Sequence, residues 1–266
     1  MKIDGARILL TGATGGIGGA IAKALAERGA RLVVSGRRRD VLERLAAQLP
    51  AESVECVVAD LADPAQVDEL VAEAGAVDVL VANAALPASG PILDFTPEQI
   101  DRALAVNLRA PIALARALLP AMIERGSGHL VFMSSLAGKV APPGSALYSA
   151  TKFGLRGFAL ALREDLHGTG VGVTAIFPGF VREAGMFAET GVRLPRGVGT
   201  STPEQVARAV VAGIERGKVE IDVAPLPMRA GARIAAVAPS LVASVQRRLG
   251  SREIAQRVAR AQAHKR

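Results

Sequence analysis

Short, nearly continuous apolar runs alternate along the chain with longer stretches that repeat with helical periodicity. The apolar runs are rich in β-branched residues and predict strands that are buried on both faces. They cover residues 7–11, 31–35, 54–59, 77–82, 129–134, 171–177 and 219–223. The intervening stretches predict helices near residues 17–28, 40–48, 64–74, 97–125, 146–168 and 203–216. Because such strands are joined by right-handed crossovers, we expect an α/β fold, a doubly wound parallel sheet of about seven strands with helices on both faces.

The alternation of strands and helices stops after Val223. We therefore divide the chain into a single domain, residues 1–228, and a helical C-terminal extension, residues 229–266. The periodicity of the extension predicts two helices, near residues 229–248 and 252–263.

Local signals refine this division. The sequence TPEQ occurs at residues 96–99 and again at 202–205, and each copy predicts a helix that begins with a capping box. Residues 183–200 contain glycine and proline without clear periodicity. A loop of this length inside a compact domain is often functional.

Charge and composition exclude several classes of protein. Of the formal net charge of +7, the extension supplies +8 from nine basic residues and one acidic residue, so the first 228 residues sum to −1. Cys56 is the only cysteine and there are three histidines, so neither a disulfide within the chain nor a metal site is expected. Tryptophan is absent and Tyr148 is the only tyrosine, which argues against a base-stacking surface for nucleic acid.

The sequence also lacks the signals of membrane insertion. The start runs directly into the first strand pattern, without a signal peptide. The longest weakly polar run, residues 234–245, is shorter than the roughly 18–20 residues of a membrane span and contains Pro239. We therefore expect a soluble, cytoplasmic protein.

A glycine-rich loop joins the first predicted strand to the first helix. Glycines at this junction allow a tight turn and a close approach to pyrophosphate, and the helix N-terminus supplies free N–H groups. Gly12, Gly16 and Gly18 fit the spacing TGxxxGxG, whereas Gly12, Gly15 and Gly18 fit GxxGxxG. Both spacings predict a dinucleotide site, and the loop alone does not decide between them.

The end of the second predicted strand indicates which dinucleotide is bound. NAD sites usually place an acidic residue here to accept a hydrogen bond from the ribose 2′-hydroxyl. Gly36 stands at that position and Arg37 and Arg38 follow it. Guanidinium groups pair well with a 2′-phosphate, so the sequence favours NADP(H) over NAD(H).

Three further residues have the spacing of a general acid/base site. Tyr148 and Lys152 are four residues apart on a predicted helix, which places the phenol and the ammonium on one face. The ammonium is expected to lower the pKa of the Tyr148 phenol from about 10 toward the range of a general acid/base. Ser135 comes at the carboxyl end of a strand, the edge that faces ligands in a parallel sheet.

With the TGxxxGxG loop and the Ser135, Tyr148 and Lys152 pattern in this order, residues 5–225 resemble the short-chain dehydrogenase/reductase family. The resemblance implies a Rossmann fold and an NAD(P)-dependent oxidoreductase that transfers a hydride between the nicotinamide and an alcohol or carbonyl substrate. It implies that Tyr148 is the acid/base, that Lys152 holds the nicotinamide ribose and that Ser135 bonds the substrate oxygen. Asn107 matches the asparagine that orders a proton-relay water. The implied cofactor contacts are Gly12, Thr14, Gly16, Ile17, Gly18, Arg37, Arg38, Asp60, Leu61, Asn83, Tyr148, Lys152, Pro178, Gly179 and Val181.

Two positions depart from the family pattern. Ala85 replaces the usual glycine of the NNAG segment, and Glu183 replaces the threonine that usually ends the PGxVxT segment. The resemblance also implies three walls around the substrate, residues 86–95, 136–147 and 180–198, with the substrate loop near 183–200. These walls are mainly apolar, which suits an apolar alcohol or carbonyl compound.

Several alternatives stay open. A non-catalytic NADP(H) sensor on the same fold would keep the glycine loop, whereas the longer epimerase relatives need a larger C-terminal domain than this chain has. Relatives pair through helices that match residues 97–125 and 146–168, so we expect a homodimer or homotetramer. The extension fits a lid over the substrate entrance, a subunit contact or a solvated face. A peripheral membrane contact is less favoured, and no nucleic acid is expected.

Overall fold

The computed structural model describes residues 1–50, 54–192, 194, 198–248 and 251–265. Within these ranges seven parallel strands form one sheet in the order β3-β2-β1-β4-β5-β6-β7. The strands are β1 (Arg7–Thr11), β2 (Arg31–Gly36), β3 (Val54–Val58), β4 (Val79–Ala82), β5 (Gly128–Met133), β6 (Val171–Pro178) and β7 (Glu220–Val223). The helices are α1 (Gly16–Ala26), α2 (Arg39–Ala46), α3 (Pro64–Ala74), α4 (Pro97–Leu104), α5 (Ala110–Glu124), α6 (Ala146–Asp165), α7 (Pro203–Arg216), α8 (Leu226–Val237), α9 (Pro239–Arg248) and α10 (Ser251–Gln262). The predicted doubly wound parallel sheet is confirmed.

The two faces of the sheet carry separate apolar cores. Successive residues of a strand point to opposite faces, so Leu9 of β1 packs into one core while Ile8 and Leu10 pack into the other. Helices α3, α5 and α6 cover the first core, and α1 and α7 cover the second. Burial on both faces explains why the strands are continuously apolar in the sequence.

The helix starts follow their sequence signals. Thr96 accepts the backbone N–H of Gln99, the Gln99 side chain accepts the N–H of Thr96, and α4 therefore begins with the expected capping box. Thr202 and Gln205 repeat this arrangement at the start of α7. Both capping boxes predicted from TPEQ are confirmed.

The single helix expected over residues 97–125 is interrupted. A π-helical turn, Ala105–Arg109, separates α4 from α5 and contains Asn107. Such a turn admits an extra residue and changes the face that its side chains present. The apolar periodicity continues through it, so the sequence gives no sign of the interruption.

The extension also differs from the expected pair of helices. Residues 229–248 do not form one helix, because α8 ends at Val237 and α9 begins at Pro239. Ala238 between them is not helical, with φ −138° and ψ 63°. Proline has no N–H to continue the ladder and restricts the residue before it, which explains the break. The expected boundary at residue 228 falls inside α8, whose Ala232 is buried in the domain core.

One stretch of the described helices has the length and apolar composition of a membrane span, contrary to the expectation of none. It is Pro97–Glu124, and 44% of its most apolar window is buried inside the protein. Leu114, Leu118 and Met122 of this stretch lie in the core beside the sheet. Packing in the core accounts for its apolar character.

Candidate active site

The predicted site residues gather at the carboxyl edge of the sheet, where the strand order reverses. Gly12 directly follows β1, Asn83 directly follows β4, and Ser135 lies just beyond β5. Tyr148 lies in the first turn of α6. Open parallel sheets bind their ligands in this crevice.

The glycine loop is shaped to receive an anion. A side-chain carbon at Gly12 would lie 2.7 Å from the Ala84 Cα, and one at Gly18 would lie 2.3 Å from the Gly12 carbonyl oxygen. Helix α1 begins at Gly16 after Gly15, which supplies no side-chain cap, and the first turn contains no acidic residue. Its N–H groups are therefore left for a ligand, and their dipole favours a pyrophosphate. The loop fits the dinucleotide that the sequence predicts.

Two side chains hold this loop in place. The Asn83 amide donates hydrogen bonds to the carbonyl oxygens of Thr11 and Gly12, at 3.1 and 3.2 Å. The Thr11 hydroxyl accepts the N–H groups of Asn83 and Ala84, at 3.1 and 3.2 Å. Asn83, predicted as a cofactor contact, thus fixes the loop from behind. Thr11 is a functional residue without a predicted role, although it stands directly before Gly12 in the TGxxxGxG spacing.

The adenosine side of the crevice has no acidic residue on β2. A side-chain carbon at Gly36 would lie 2.8 Å from the Thr14 Cγ2, so Thr14 occupies the space that an acidic side chain would need. Arg37 and Arg38 are both exposed just after this point. Arg38 donates to the Thr14 carbonyl oxygen at 3.3 Å, which draws its guanidinium toward the glycine loop.

Asp60 and Leu61, which follow β3, have structural partners of their own. Burial raises the pKa of the Asp60 carboxyl, but hydrogen bonds from Arg102 and from the Ala62 N–H outweigh it, so the net pKa is lower than usual. The distance between Arg102 Nη2 and Asp60 Oδ2 is 2.7 Å. The Leu61 side chain is buried in the core, so only its backbone faces a cofactor.

Ser135 and Tyr148 form the chemical centre of the crevice. The Ser135 side chain is close enough to Tyr148 to act on the pKa of its phenol, which it lowers. The Ser135 oxygen also accepts the Ala137 N–H at 3.1 Å and donates to the Pro178 carbonyl oxygen at 3.4 Å. The Tyr148 side chain is half-buried. The structure therefore brings the Ser135 and Tyr148 side chains together at the carboxyl edge of the sheet.

Lys152 lies one helical turn beyond Tyr148 and is only 1% exposed. Its ammonium nitrogen donates to the Met133 carbonyl oxygen at 2.9 Å and is 5.6 Å from the centre of the Tyr148 ring. Burial lowers the pKa of the Lys152 ammonium to about 8. Ser134 completes the arrangement by donating to the Lys152 carbonyl oxygen at 3.0 Å.

The expected lowering of the Tyr148 pKa is wrong for the protein without ligands. Burial raises the pKa of the Tyr148 phenol to about 12, and only the hydrogen bond with Ser135 acts against it. Lys152 does not act in the expected direction here, because burial weakens its own positive charge and its nitrogen is bonded to Met133. The phenol is therefore protonated until another positive charge enters the site.

Asn107 reaches the site from the π-helical turn. Its amide oxygen accepts the Leu86 N–H at 2.6 Å, and its amide nitrogen donates to the Leu86 carbonyl oxygen at 3.0 Å. The side chain is completely buried. Both polar atoms of the side chain therefore hold the segment that follows β4, and the proton-relay role of Asn107 stays a prediction.

The last predicted contacts lie at the end of β6. Pro178 ends the strand, the Gly179 N–H donates to the Val223 carbonyl oxygen at 3.0 Å, and Val181 pairs with Ser201. The next residues cross to the glycine loop, where a side-chain carbon at Gly16 would lie only 2.3 Å from the Ala184 Cβ. Of the predicted substrate loop near 183–200, residues 193 and 195–197 lie outside the described residues.

Glu183 at the start of this crossing is the only described residue other than glycine with a positive φ, at 70°. Its carboxylate pairs with Arg182 at 2.8 Å and is exposed. The usual threonine is thus replaced by a residue that turns toward a neighbouring arginine.

Comparisons with known proteins agree with this geometry. A family model described as short chain dehydrogenase matches residues 6–193. The ketoacyl reductase HetN of Nostoc sp. is 37% identical over 232 residues, which cover 85% of this chain and 81% of that protein. A short-chain dehydrogenase from Sphingobium yanoikuyae in complex with NADPH superposes with a TM-score of 0.77 at 29% identity, over 89% of this chain and 93% of that one. A 3-ketoacyl-(acyl-carrier-protein) reductase from Brucella melitensis complexed with NADH superposes with a TM-score of 0.76 at 28% identity, over 84% of this chain and 98% of that one.

Replacing Lys152 by Met is expected to abolish turnover and yet stabilise the protein at pH 7. The ammonium is buried with a pKa of about 8, below its usual value of 10.5, so protonating it in the folded state costs free energy. Removing it gains about 1–2 kcal/mol after the lost hydrogen bond to Met133 is deducted. The gain is full below pH 8 and is lost as the pH rises through 10.5, above which the wild-type lysine is neutral in the unfolded state as well. Urea unfolding of both proteins at pH 7 and pH 10 measures the difference in their free energies of unfolding at each pH. A variant that is less stable than wild type at pH 7 would contradict this expectation.

Proposed function

The chain belongs to the short-chain dehydrogenase/reductase family and is therefore an oxidoreductase; from this premise we propose that it transfers a hydride between NADP(H) and an apolar alcohol or carbonyl compound. The observation that carries the proposal is the neighbouring pair of Ser135 and Tyr148 side chains, with the buried Lys152 nitrogen 5.6 Å from the centre of the Tyr148 ring. These groups lie at the same sheet edge as the anion-binding glycine loop.

In the reductive direction the substrate carbonyl oxygen accepts hydrogen bonds from the Ser135 and Tyr148 hydroxyls. Arg37, Arg38 and the glycine loop would hold NADPH, and the chemistry that it would supply when bound is a hydride for the carbonyl carbon. The Tyr148 phenol, with a pKa of about 12, is protonated at neutral pH and gives its proton to the oxygen. Lys152, whose ammonium pKa is about 8, is the nearest source from which the phenolate can recover a proton.

The preference for NADP(H) rests on the end of β2. Thr14 fills the space beside Gly36, so an acidic partner for a ribose 2′-hydroxyl is missing. Arg37 and Arg38 stand exposed beside it and supply the charge that a 2′-phosphate needs. The similar Sphingobium structure contains NADPH whereas the similar Brucella structure contains NADH. Similarity to solved structures therefore does not decide between NADP(H) and NAD(H).

For the substrate we propose a 3-ketoacyl compound. HetN and the Brucella protein are both named as ketoacyl reductases. The described walls supply apolar surface for an acyl chain, including the Phe180 and Phe187 rings, whose centres are 4.6 Å apart. A non-catalytic NADP(H) sensor is the other candidate, and it would bind NADPH without consuming it.

We also propose that the protein is a homodimer or homotetramer. Ile123 of α5 and Phe153 of α6 are 43% and 41% exposed, and both helices are ones through which relatives pair. Sedimentation at micromolar concentration tests this, and a monomer would refute it.

Changing Tyr148 to Phe is expected to abolish ketone reduction while leaving NADPH binding intact. The substitution removes the proton donor but keeps the ring that packs beside Lys152. Loss of general acid catalysis typically costs about 10²–10⁴-fold in rate. NADPH consumption with ethyl acetoacetate measures turnover, and the fluorescence of bound NADPH measures affinity. A wild-type protein that binds NADPH and consumes none with any ketone would support the sensor.

Replacing Arg37 and Arg38 together by Ala is expected to weaken the use of NADPH and leave that of NADH nearly unchanged. A charged hydrogen bond is worth about 1.5–3 kcal/mol, so kcat/KM for NADPH should fall at least about tenfold. Arg31→Ala at the opposite end of β2 is the control, because Arg31 bonds the Gly5 carbonyl oxygen far from the crevice. Equal losses with both cofactors, or a wild-type preference for NADH, would overturn the NADP assignment.

A further inference from the structure

The last helix, α10, lies across all three segments that are expected to wall the substrate site. Pro87 follows β4, Gly144 precedes α6, and Met186 belongs to the segment that follows β6. Ala261 and Gln262 line a narrow gap with Pro87 and Met186. At the other end of the helix, a side-chain carbon at Gly144 would lie 3.3 Å from the Ala255 Cβ. The basic extension thus packs on the segments that are expected to wall the substrate site.

One side chain ties this helix to the substrate segment. The Gln262 amide nitrogen donates to the Met186 carbonyl oxygen at 2.9 Å, across 76 residues of sequence. Gln262 is 6% exposed and Ala259, one turn earlier, is 4% exposed, so this face of α10 is packed against the domain. The hydrogen bond fixes the backbone of the segment at Met186.

The same segment is held at its other end by the glycine loop. Ala184 packs on Gly16, and a side-chain carbon at Gly185 would lie 3.1 Å from the Ile17 Cδ1. Residues 184–186 therefore run from the cofactor loop to α10. Moving their far end changes the width of the crevice that they border.

The net contribution of the buried Gln262 amide group to the stability of the fold is small. Its amide oxygen is buried and meets no donor among the residues that the structure describes. The hydrogen bond of the Gln262 nitrogen stabilises the folded state, whereas the unpaired amide oxygen destabilises it. The two contributions to the free energy of folding are of comparable size. A protein with leucine at this position should be about as stable as the wild type. The amide group is therefore not needed for stability.

We propose that α10 forms the outer wall of the substrate cleft and that Gln262 is a specificity-determining positioning residue, which holds the segment around Met186 against bulky substrates. This inference rests on the proposed reduction of ketones. It gives the extension a role in the site without contact between Gln262 and the reacting atoms.

The test compares Gln262→Leu with Gln256→Leu, the same substitution on the exposed face of the same helix. The first readout is kcat/KM for tert-butyl acetoacetate relative to ethyl acetoacetate, with NADPH. The second is amide hydrogen exchange in the peptide that contains residues 184–190, which needs no turnover. Thermal unfolding of both variants checks that the fold is kept.

Gln262→Leu should raise the bulky-to-small ratio by about fivefold, the worth of one hydrogen bond, mainly through KM for the bulky ester. It should also accelerate exchange in the 184–190 peptide, whereas Gln256→Leu should match wild type in both. If the two variants give the same ratio and the same exchange, the proposal is overturned. If wild type reduces neither ester, the ketone-reducing function and the specificity role both fall, and the exchange comparison alone decides whether Gln262 holds the segment.

Discussion

The Lys152 side chain spans the junction between α6 and β5, and its nitrogen ends on the Met133 carbonyl oxygen, the last of the strand. Ser134, the next residue, donates back to the Lys152 carbonyl oxygen. These reciprocal bonds fix the start of α6 against the carboxyl end of β5, which sets Tyr148 beside Ser135. Gly138 belongs to the same junction, because a side-chain carbon there would lie 2.7 Å from the Lys152 carbonyl oxygen. The hydroxyl pair can form only if the helix and the strand meet in this way.

The same junction determines the electrostatics of the site. Burial lowers the pKa of Lys152 and raises that of Tyr148, so in the free protein both groups move away from the charged forms. A phenol that must become a phenolate for alcohol oxidation therefore needs a positive charge brought in from outside. The oxidised nicotinamide carries such a charge. In the proposed mechanism the Tyr148 phenol would therefore stay protonated until the cofactor binds.

Much of this could be predicted from the sequence. Apolar runs predict the strands that are buried on both faces, and the two TPEQ sequences predict the capping boxes. The helical repeat places Tyr148 and Lys152, four residues apart, on one face of a helix. The rest depends on contacts between distant segments that no local pattern encodes. The π turn carries the Asn107 side chain that bonds Leu86, a segment 21 residues away, and α10 is tied to the domain by the bond of Gln262 with Met186. The wrong expectation for the Tyr148 pKa had a similar cause, because spacing places a cation near a phenol but does not give the burial of either group.

We propose that the cofactor, and not Lys152 alone, makes Tyr148 ionise. The chain contains one tyrosine and no tryptophan, so the ultraviolet absorbance of the phenolate reports on Tyr148 alone. A pH titration of this absorbance, with and without saturating NADP⁺ and with Tyr148→Phe as the blank, measures the claim directly. The account predicts a midpoint above the ordinary value of about 10 in the free protein and a clearly lower midpoint in the complex. A free-protein midpoint below 10, or one that NADP⁺ leaves unchanged, would contradict it.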